Sequence, residues 1–447
     1  MEGNLGRMQG FVGRVWDQFK APLYRNAVYI MLASIIGSGL GFFFWIIVAR
    51  SYTKEDVGYA VTLFQTISFL AALAHLGLGT ALVRYLPETE EKVPLVNTCL
   101  TIVGVVSLVL AEIFFVIIPW AAPDLAFVQW NPIYPIGIFL TAMMVSFGPI
   151  LDQAGFAVRH AEVLTWRTLV FAILKIPFAV FFALFAATSG RLGVFMAIAI
   201  AFGISILLEG FWLVPRILPG YWPKPRSSVR RVRPMIRFSL GNYAAGSIGA
   251  AGSLLLPLLI LNVLGAQGAA NAAYFYIATV VAGLLYIIPN ATFTSFYAEA
   301  SQAGAKRAVD EKRAILLSLA LLAPGIGLLW FFAQPMLVLF GDPAYAAGAV
   351  GSLHILVFAS VPVFLNTVLT TRVRVRKKTL PLIVGTIIGT GVTLVLGVLL
   401  LQTGGIDGLS IAYVLGSLAP TPYYYFVART SFKGEDVEPV GPAMGNL

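Results

Sequence analysis

Twelve apolar runs divide this 447-residue chain, each close to the ~20 residues a helix needs to cross a bilayer. The connections between them split Lys and Arg very unevenly. If the first run leaves the cytoplasm, inward connections hold roughly 26 of the 30 basic residues and outward ones hold three, Arg50, Lys54 and Arg191, with Lys175 inside a run. Basic residues collect in cytoplasmic loops of polytopic membrane proteins. The pattern predicts a multi-pass protein of the cell membrane with both termini in the cytoplasm. The expected spans are 27–49, 57–79, 95–119, 133–157, 168–188, 193–214, 238–262, 271–295, 314–338, 348–371, 380–402 and 405–427.

With 59% hydrophobic and 11% charged residues, the chain has too little polar surface for a water-soluble globule. The net charge of +10 resides in short loops, where it orients the spans and meets anionic headgroups. Nucleic acid is therefore not expected as a partner; membrane lipids are. Cys99 is the single cysteine, which excludes an intrachain disulfide and a cysteine metal cluster. The first 25 residues lack the short apolar core and small-residue cleavage site of a removable signal. Leu5, Met8, Val12, Val15, Trp16 and Phe19 instead recur at helical spacing, as in a helix lying on the inner surface.

Local signals refine this frame. Thr53-Lys54-Glu55-Asp56 has capping-box form and opens the second span. The one long polar connection, Arg216 to Arg237, carries five further basic residues among prolines and separates two six-helix halves. The expected organisation is an amphipathic N-terminus (1–25), a first lobe (26–217), a basic cytoplasmic linker (218–237), a second lobe (238–428) and a cytoplasmic tail (429–447). Arg25, a Gly- and Ser-rich span and Gly58-Tyr59-Ala60 are echoed about 215 residues later by Arg237, a span with Gly246, Gly249 and Gly252, and Ala273-Tyr274-Phe275. An even number of spans per copy makes the repeats parallel, so the fold class is an all-α polytopic protein of two lobes around a central cavity.

Ionisable residues in a span are costly and face protein or a wet cavity. Lys175 shares a helix face with Thr168, Ala172, Ala179, Ala183 and Ala186, opposite a bulky face. Span four has a stripe of Thr141, Gly148, Asp152, Gly155 and Arg159, and span two one of Gln65, Ser68, Ala72, His75 and Gly79. Two readings of Lys175 stand open: a structural ion pair with Asp152, or a cation lining a cavity. Glu209 is expected to pair with Arg216, two turns on. Glu112 and Asp152 are candidate ion or proton sites. Gly37-xxx-Gly41 and Gly385-xxx-Gly389 suit close helix packing. The three histidines are scattered, and there is no phosphate-cradling loop and no carboxylate pair at metal-ligand spacing. Neither an enzyme nor a bound cofactor is expected.

At Ala49-Arg50-Ser51-Tyr52-Thr53-Lys54-Glu55-Asp56-Val57-Gly58, at Leu76-Gly77-Leu78-Gly79 and at Arg84-Tyr85-Leu86-Pro87, the chain resembles the polysaccharide transporter family. These are Wzx-type flippases for lipid-linked oligosaccharides, in the superfamily that also holds multidrug/cation antiporters and lipid II flippases. The resemblance implies a MATE-like fold, alternating access, and as cargo a glycan on a polyprenyl phosphate or diphosphate, with glycosyltransferases or polymerases as pathway partners. Lys175, Arg159 and Arg84 would then make the first phosphate contacts from the inner side, with Arg50 and Lys54 flanking the outer mouth. The rivals are an ion-coupled small-molecule exporter on the same fold and an integral-membrane glycosyltransferase. Short outer loops speak against the latter.

Overall fold

The computed structural model describes residues 22–130, 132–185, 193–226, 229–300, 307–341, 343–375 and 380–430. The surface helix expected over residues 5–19, Arg191 and the tail after residue 430 lie outside them. Among the described residues every regular element is helical: α1 Pro22–Ser51, α2 Lys54–Ala74, α3 Leu78–Tyr85, α4 Lys92–Ala121, α5 Ile133–Ala157, α6 Glu162–Leu184 and α7 Gly193–Leu208 come first. They are followed by α8 Val229–Leu254, α9 Leu256–Leu264, α10 Gly268–Ala300, α11 Arg307–Phe331, α12 Ala333–Val338, α13 Pro343–Phe358, α14 Ser360–Val375, α15 Leu380–Leu418 and α16 Pro420–Thr430.

Ten helical stretches are long and apolar enough to span a membrane. Twelve spans were expected, and two local features account for the difference. Within Leu380–Leu418, Gly405 is non-helical (φ 58°), and Gly389 faces the carbonyl of Gly416 across the break, so the chain reverses there and the segment holds two antiparallel spans. The expected seventh span falls on α8 and α9. Its Gly246, Gly249, Gly252 and neighbouring serines keep α8 below the apolarity of the others, while α9 is counted with α10 in one stretch. All twelve expected spans thus have a helical counterpart.

Large apolar side chains lie on the outside of the helices as well as in the core. Small residues such as Ala60, Ala71, Ala74, Ala81 and Ala154 fill the interior, whereas Val105, Val109, Ile113 and Val116 form an outward stripe on α4. That is the pattern expected where lipid is as apolar as the core and close backbone packing drives association. Gly58 on α2 backs onto the Ala269 carbonyl with no space for a methyl group. Many span hydroxyls return their hydrogen bonds to their own helices, as Thr66 does to the Thr62 carbonyl at 2.7 Å, which satisfies them without water. The expected cap is formed: Thr53 Oγ1 accepts from the Asp56 amide at 3.2 Å and donates to Asp56 Oδ2 at 2.7 Å. Next to it, the Tyr52 hydroxyl donates to the Ala179 carbonyl at 2.7 Å, and burial together with nearby Asp56 pushes the phenol up to about 12, which keeps it a donor.

The chain divides into two compact units: Met1–Ala250 with Leu254–Ala273 and Phe340–Asp342, and Ala251–Ser253 with Tyr274–Leu339 and Pro343–Leu447. The helices that follow the basic connection, α8 as far as Ala250 and α9, therefore pack within the first unit. In the second unit, Arg372 on α14 donates to Glu311 on α11 at 2.5 Å, and Ser352 on α13 donates to Asp407 at 2.6 Å.

Candidate functional site

The polar centre of the first unit is built on the α5–α6 hairpin. Two residues after the end of α5 stands Arg159, which has φ 65°, a conformation that favours glycine just past a helix C-terminus. The His160 amide reaches back to the Gly155 carbonyl at 2.8 Å and the Arg159 amide to Phe156 at 3.1 Å, closing the turn. Holding a non-glycine residue there costs about 1–2 kcal/mol, so the turn geometry is imposed by its surroundings.

A hairpin that reverses between Arg159 and His160 brings residues equally far from the turn to one height. Asp152 and Arg167 are such a pair. Arg167 Nη2 donates to Asp152 Oδ2 at 2.7 Å and Nε to Oδ1 at 3.1 Å, a bidentate fork-to-carboxylate contact. Both side chains are buried, with Gly148 beside the guanidinium. A second carboxylate joins from the turn after α7: Glu209 Oε2 lies 3.3 Å from Arg167 Nε, and among the described residues neither Glu209 oxygen has a hydrogen-bond partner. One guanidinium thus faces two buried carboxylates.

Glu209 opens a π turn, Glu209–Leu213, between α7 and its last turn, Val214–Ile217. Such widened turns are often found at functional sites. Here Pro215, which supplies no amide hydrogen, lies just beyond it.

Two sequence expectations are corrected at this point. Asp152 does not pair with Lys175. Its partner is Arg167, while Lys175 lies eight residues further along α6, about 12 Å at helical rise. Glu209 does not pair with Arg216 either. The extra residue in the π turn rotates Arg216 by roughly 100° from the i+7 position of a regular helix, and its guanidinium instead lies 3.5 Å from the centre of the Trp212 ring.

Lys175 is 6% exposed, with its ammonium 4.9 Å from the ring centres of both Phe44 on α1 and Phe171 on its own helix. α1 and α6 run side by side: the Thr165 hydroxyl donates to the Tyr29 carbonyl at 2.8 Å, and Gly37 lies against Thr168. Gly41 leaves open the space next to the Lys175 ammonium. Aromatic faces stabilise a cation without neutralising it. Among the described residues no carboxylate lies within ion-pair distance of Lys175.

The other candidates have different neighbours. Arg84 is exposed at the end of α3, its guanidinium 4.4 Å from the Phe238 ring centre. The stem of Arg50 packs on Gly341, which has φ 95°. Glu112 is exposed on α4 among Leu108, Val109 and Ile113, on the outward apolar face rather than in the interior. The Leu76-Gly77 motif is a sharp break between α2 and α3, with φ of 48° and 73°, braced by α8 through the Tyr243 hydroxyl, which donates to the Leu73 carbonyl at 2.6 Å. Arg167 is the buried charge that sequence reasoning missed.

Comparison with known proteins agrees with this architecture. The family model described as polysaccharide biosynthesis protein matches residues 23–293. An uncharacterized membrane protein of Methanocaldococcus jannaschii is 23% identical over 380 residues, covering 78% of this chain and 73% of its own. Among solved structures, a multidrug resistance MATE family transporter of the MOP superfamily, in an inward-facing conformation, superposes with a TM-score of 0.64 at 15% identity, over 90% of this chain and 98% of that one. The lipid II flippase MurJ gives a TM-score of 0.66 at 13% identity, over 89% and 86%. The chain belongs to the polysaccharide biosynthesis protein family and has the polytopic fold of the MOP-superfamily transporters.

Proposed function

We propose that this protein flips a polyprenyl phosphate- or diphosphate-linked oligosaccharide outward across the cytoplasmic membrane by alternating access, in the assembly of a cell-surface glycan. The carrying observation is the state of its buried charges. Asp152 is neutralised by Arg167, so Lys175 is left, among the described residues, as a membrane-buried cation facing the Phe44 and Phe171 rings with no paired carboxylate. A cation in that setting attracts an anion, and the phosphate of a lipid-linked glycan is the anion that membership of a polysaccharide biosynthesis family suggests. Arg159 and Arg84 extend the basic approach, and Arg50 marks the opposite end of α1. With the cell interior negative, moving two phosphate charges outward releases about 4–5 kcal/mol per 100 mV, enough to drive export without ATP.

The test is a lysine series in a flipping assay with purified lipid-linked glycan. Lys175→Ala loses flipping while still inserting and folding, and Lys175→Arg keeps part of it because the charge is retained. Since Asp152 has another partner, adding Asp152→Asn to the alanine variant does not restore flipping; restoration overturns the cargo-contact role.

A second reading, an ion-coupled exporter, is favoured by one observation. Two carboxylates share one guanidinium at Asp152, Arg167 and Glu209, an arrangement that can take up a proton or Na⁺. Under that reading transport fails when the ion gradient is removed, and Glu209→Gln abolishes the coupling.

A further inference from the structure

A groove of about 460 Å³ opens on the first unit between α4, α5 and α7. Its walls are apolar over most of their length: Leu100, Leu108, Met143, Phe147, Ile206 and Phe211. Leu108 and Phe211 on its rim are exposed, as is normal for side chains that meet lipid. One end is different. There the start of the basic connection folds over the groove and contributes Tyr221, Pro223, Lys224 and Pro225. Two hydrogen bonds to α4 hold this segment: Asn97 Nδ2 donates to the Trp222 carbonyl at 2.9 Å, and the Arg226 amide donates to Thr101 Oγ1 at 2.9 Å.

Those bonds leave two polar atoms over. Among the described residues, Asn97 Oδ1 and the Tyr221 hydroxyl are buried without a hydrogen-bond partner, on residues only 3% and 4% exposed. Orphaned buried polar atoms are uncommon and call for an occupant. Burial and nearby Glu209 push the Tyr221 phenol up, so it stays a donor. Asn97, Tyr221 and the exposed Lys224 thus line one end of an apolar slot.

We propose that this groove binds an anionic phospholipid with a hydroxylated headgroup, of the phosphatidylglycerol type. One acyl chain lies along the slot and the phosphate sits at Lys224. A headgroup hydroxyl donates to Asn97 Oδ1, and Tyr221 donates to a phosphate or ester oxygen. Basic pockets between spans at the cytoplasmic surface are suited to such headgroups. Zwitterionic choline lipids match the slot but have no hydroxyl donor and no net charge.

The full-length protein in phosphatidylcholine mixed micelles, followed by thermal exposure of the buried Cys99 thiol, provides the readout. Dioleoylphosphatidylglycerol is expected to stabilise the wild type at a lower mole fraction than dioleoylphosphatidylcholine. Lys224→Gln weakens the half-saturation for phosphatidylglycerol about fivefold and leaves its behaviour in phosphatidylcholine alone, while Leu108→Trp fills the slot and removes the effect. Lys312→Gln, an exposed basic residue of the second unit, leaves the half-saturation unchanged. Equal responses to the two lipids, or equal losses in the Lys224 and Lys312 variants, overturn the site. Displacement of phosphatidylglycerol by equimolar undecaprenyl phosphate overturns the assignment in favour of an isoprenoid tail.

Discussion

Arg167 holds Asp152 through two parallel hydrogen bonds, at 2.7 and 3.1 Å, across the hairpin formed by α5 and α6. Glu209 reaches the same guanidinium only at 3.3 Å, and among the described residues neither of its oxygens has a hydrogen bond. The three residues are therefore unequal in what they contribute to folding.

Arg167→Gln is expected to be the most damaging change, by about 3–5 kcal/mol, because it leaves two buried carboxylates without a counter-charge. Asp152→Asn ranks second, since Glu209 still faces the guanidinium. Glu209→Gln removes the surplus charge and alters stability by no more than about 1 kcal/mol. Thermal unfolding of the purified variants gives the ranking. A loss in Glu209→Gln equal to that in Arg167→Gln contradicts it.

Arg159 separates a charge role from a structural one. Its left-handed backbone suits glycine, so Arg159→Gly keeps the midpoint of thermal unfolding within a few degrees of wild type, relief of strain offsetting the added chain entropy. If the side chain guides an anionic cargo, the same variant flips more slowly. Normal flipping removes Arg159 from the cargo path, and a large drop in stability refutes the turn assignment.

How far the site was legible depends on what each residue's neighbours reveal along the chain. The spans, the Thr53 cap and the glycine packing positions follow from periodicity and local chemistry, and all are formed. Arg167 was hidden because a cation at the edge of an apolar run reads as a loop residue. Only the location of the turn at Arg159–His160 shows that it stands level with Asp152. The Glu209–Arg216 pairing failed for a related reason: i+7 spacing assumes an unbroken α-helix, and the π turn inserts a residue between them.

Gly58 offers a packing test. A methyl group there collides with the backbone carbonyl of Ala269, which no side-chain rotation can clear, so Gly58→Ala is expected to lower stability by about 3 kcal/mol or to prevent folding. Gly39, on α1 with open space around it, is the control: Gly39→Ala is neutral or stabilising by up to about 1 kcal/mol. Size-exclusion profiles of the two variants in detergent distinguish them, and matching profiles refute the contact.

Orientation follows from the basic residues. In a Cys99→Ser background, an impermeant thiol reagent added to intact cells is expected to label Trp130→Cys and to leave Pro225→Cys unmodified until the membrane is opened. The reverse pattern inverts the proposed topology.

Outward flipping of an anionic lipid-linked glycan, driven by membrane potential, is tested most directly in proteoliposomes that hold the purified protein and its lipid-linked glycan under a K⁺/valinomycin potential of either sign. The expected result is a flipping rate that rises under export-favouring potential, falls when the sign is reversed and is lost in Lys175→Ala under both. A rate indifferent to potential that collapses when only a Na⁺ or pH gradient is removed contradicts it and supports the ion-coupled exporter, with Asp152 and Glu209 as its ion site.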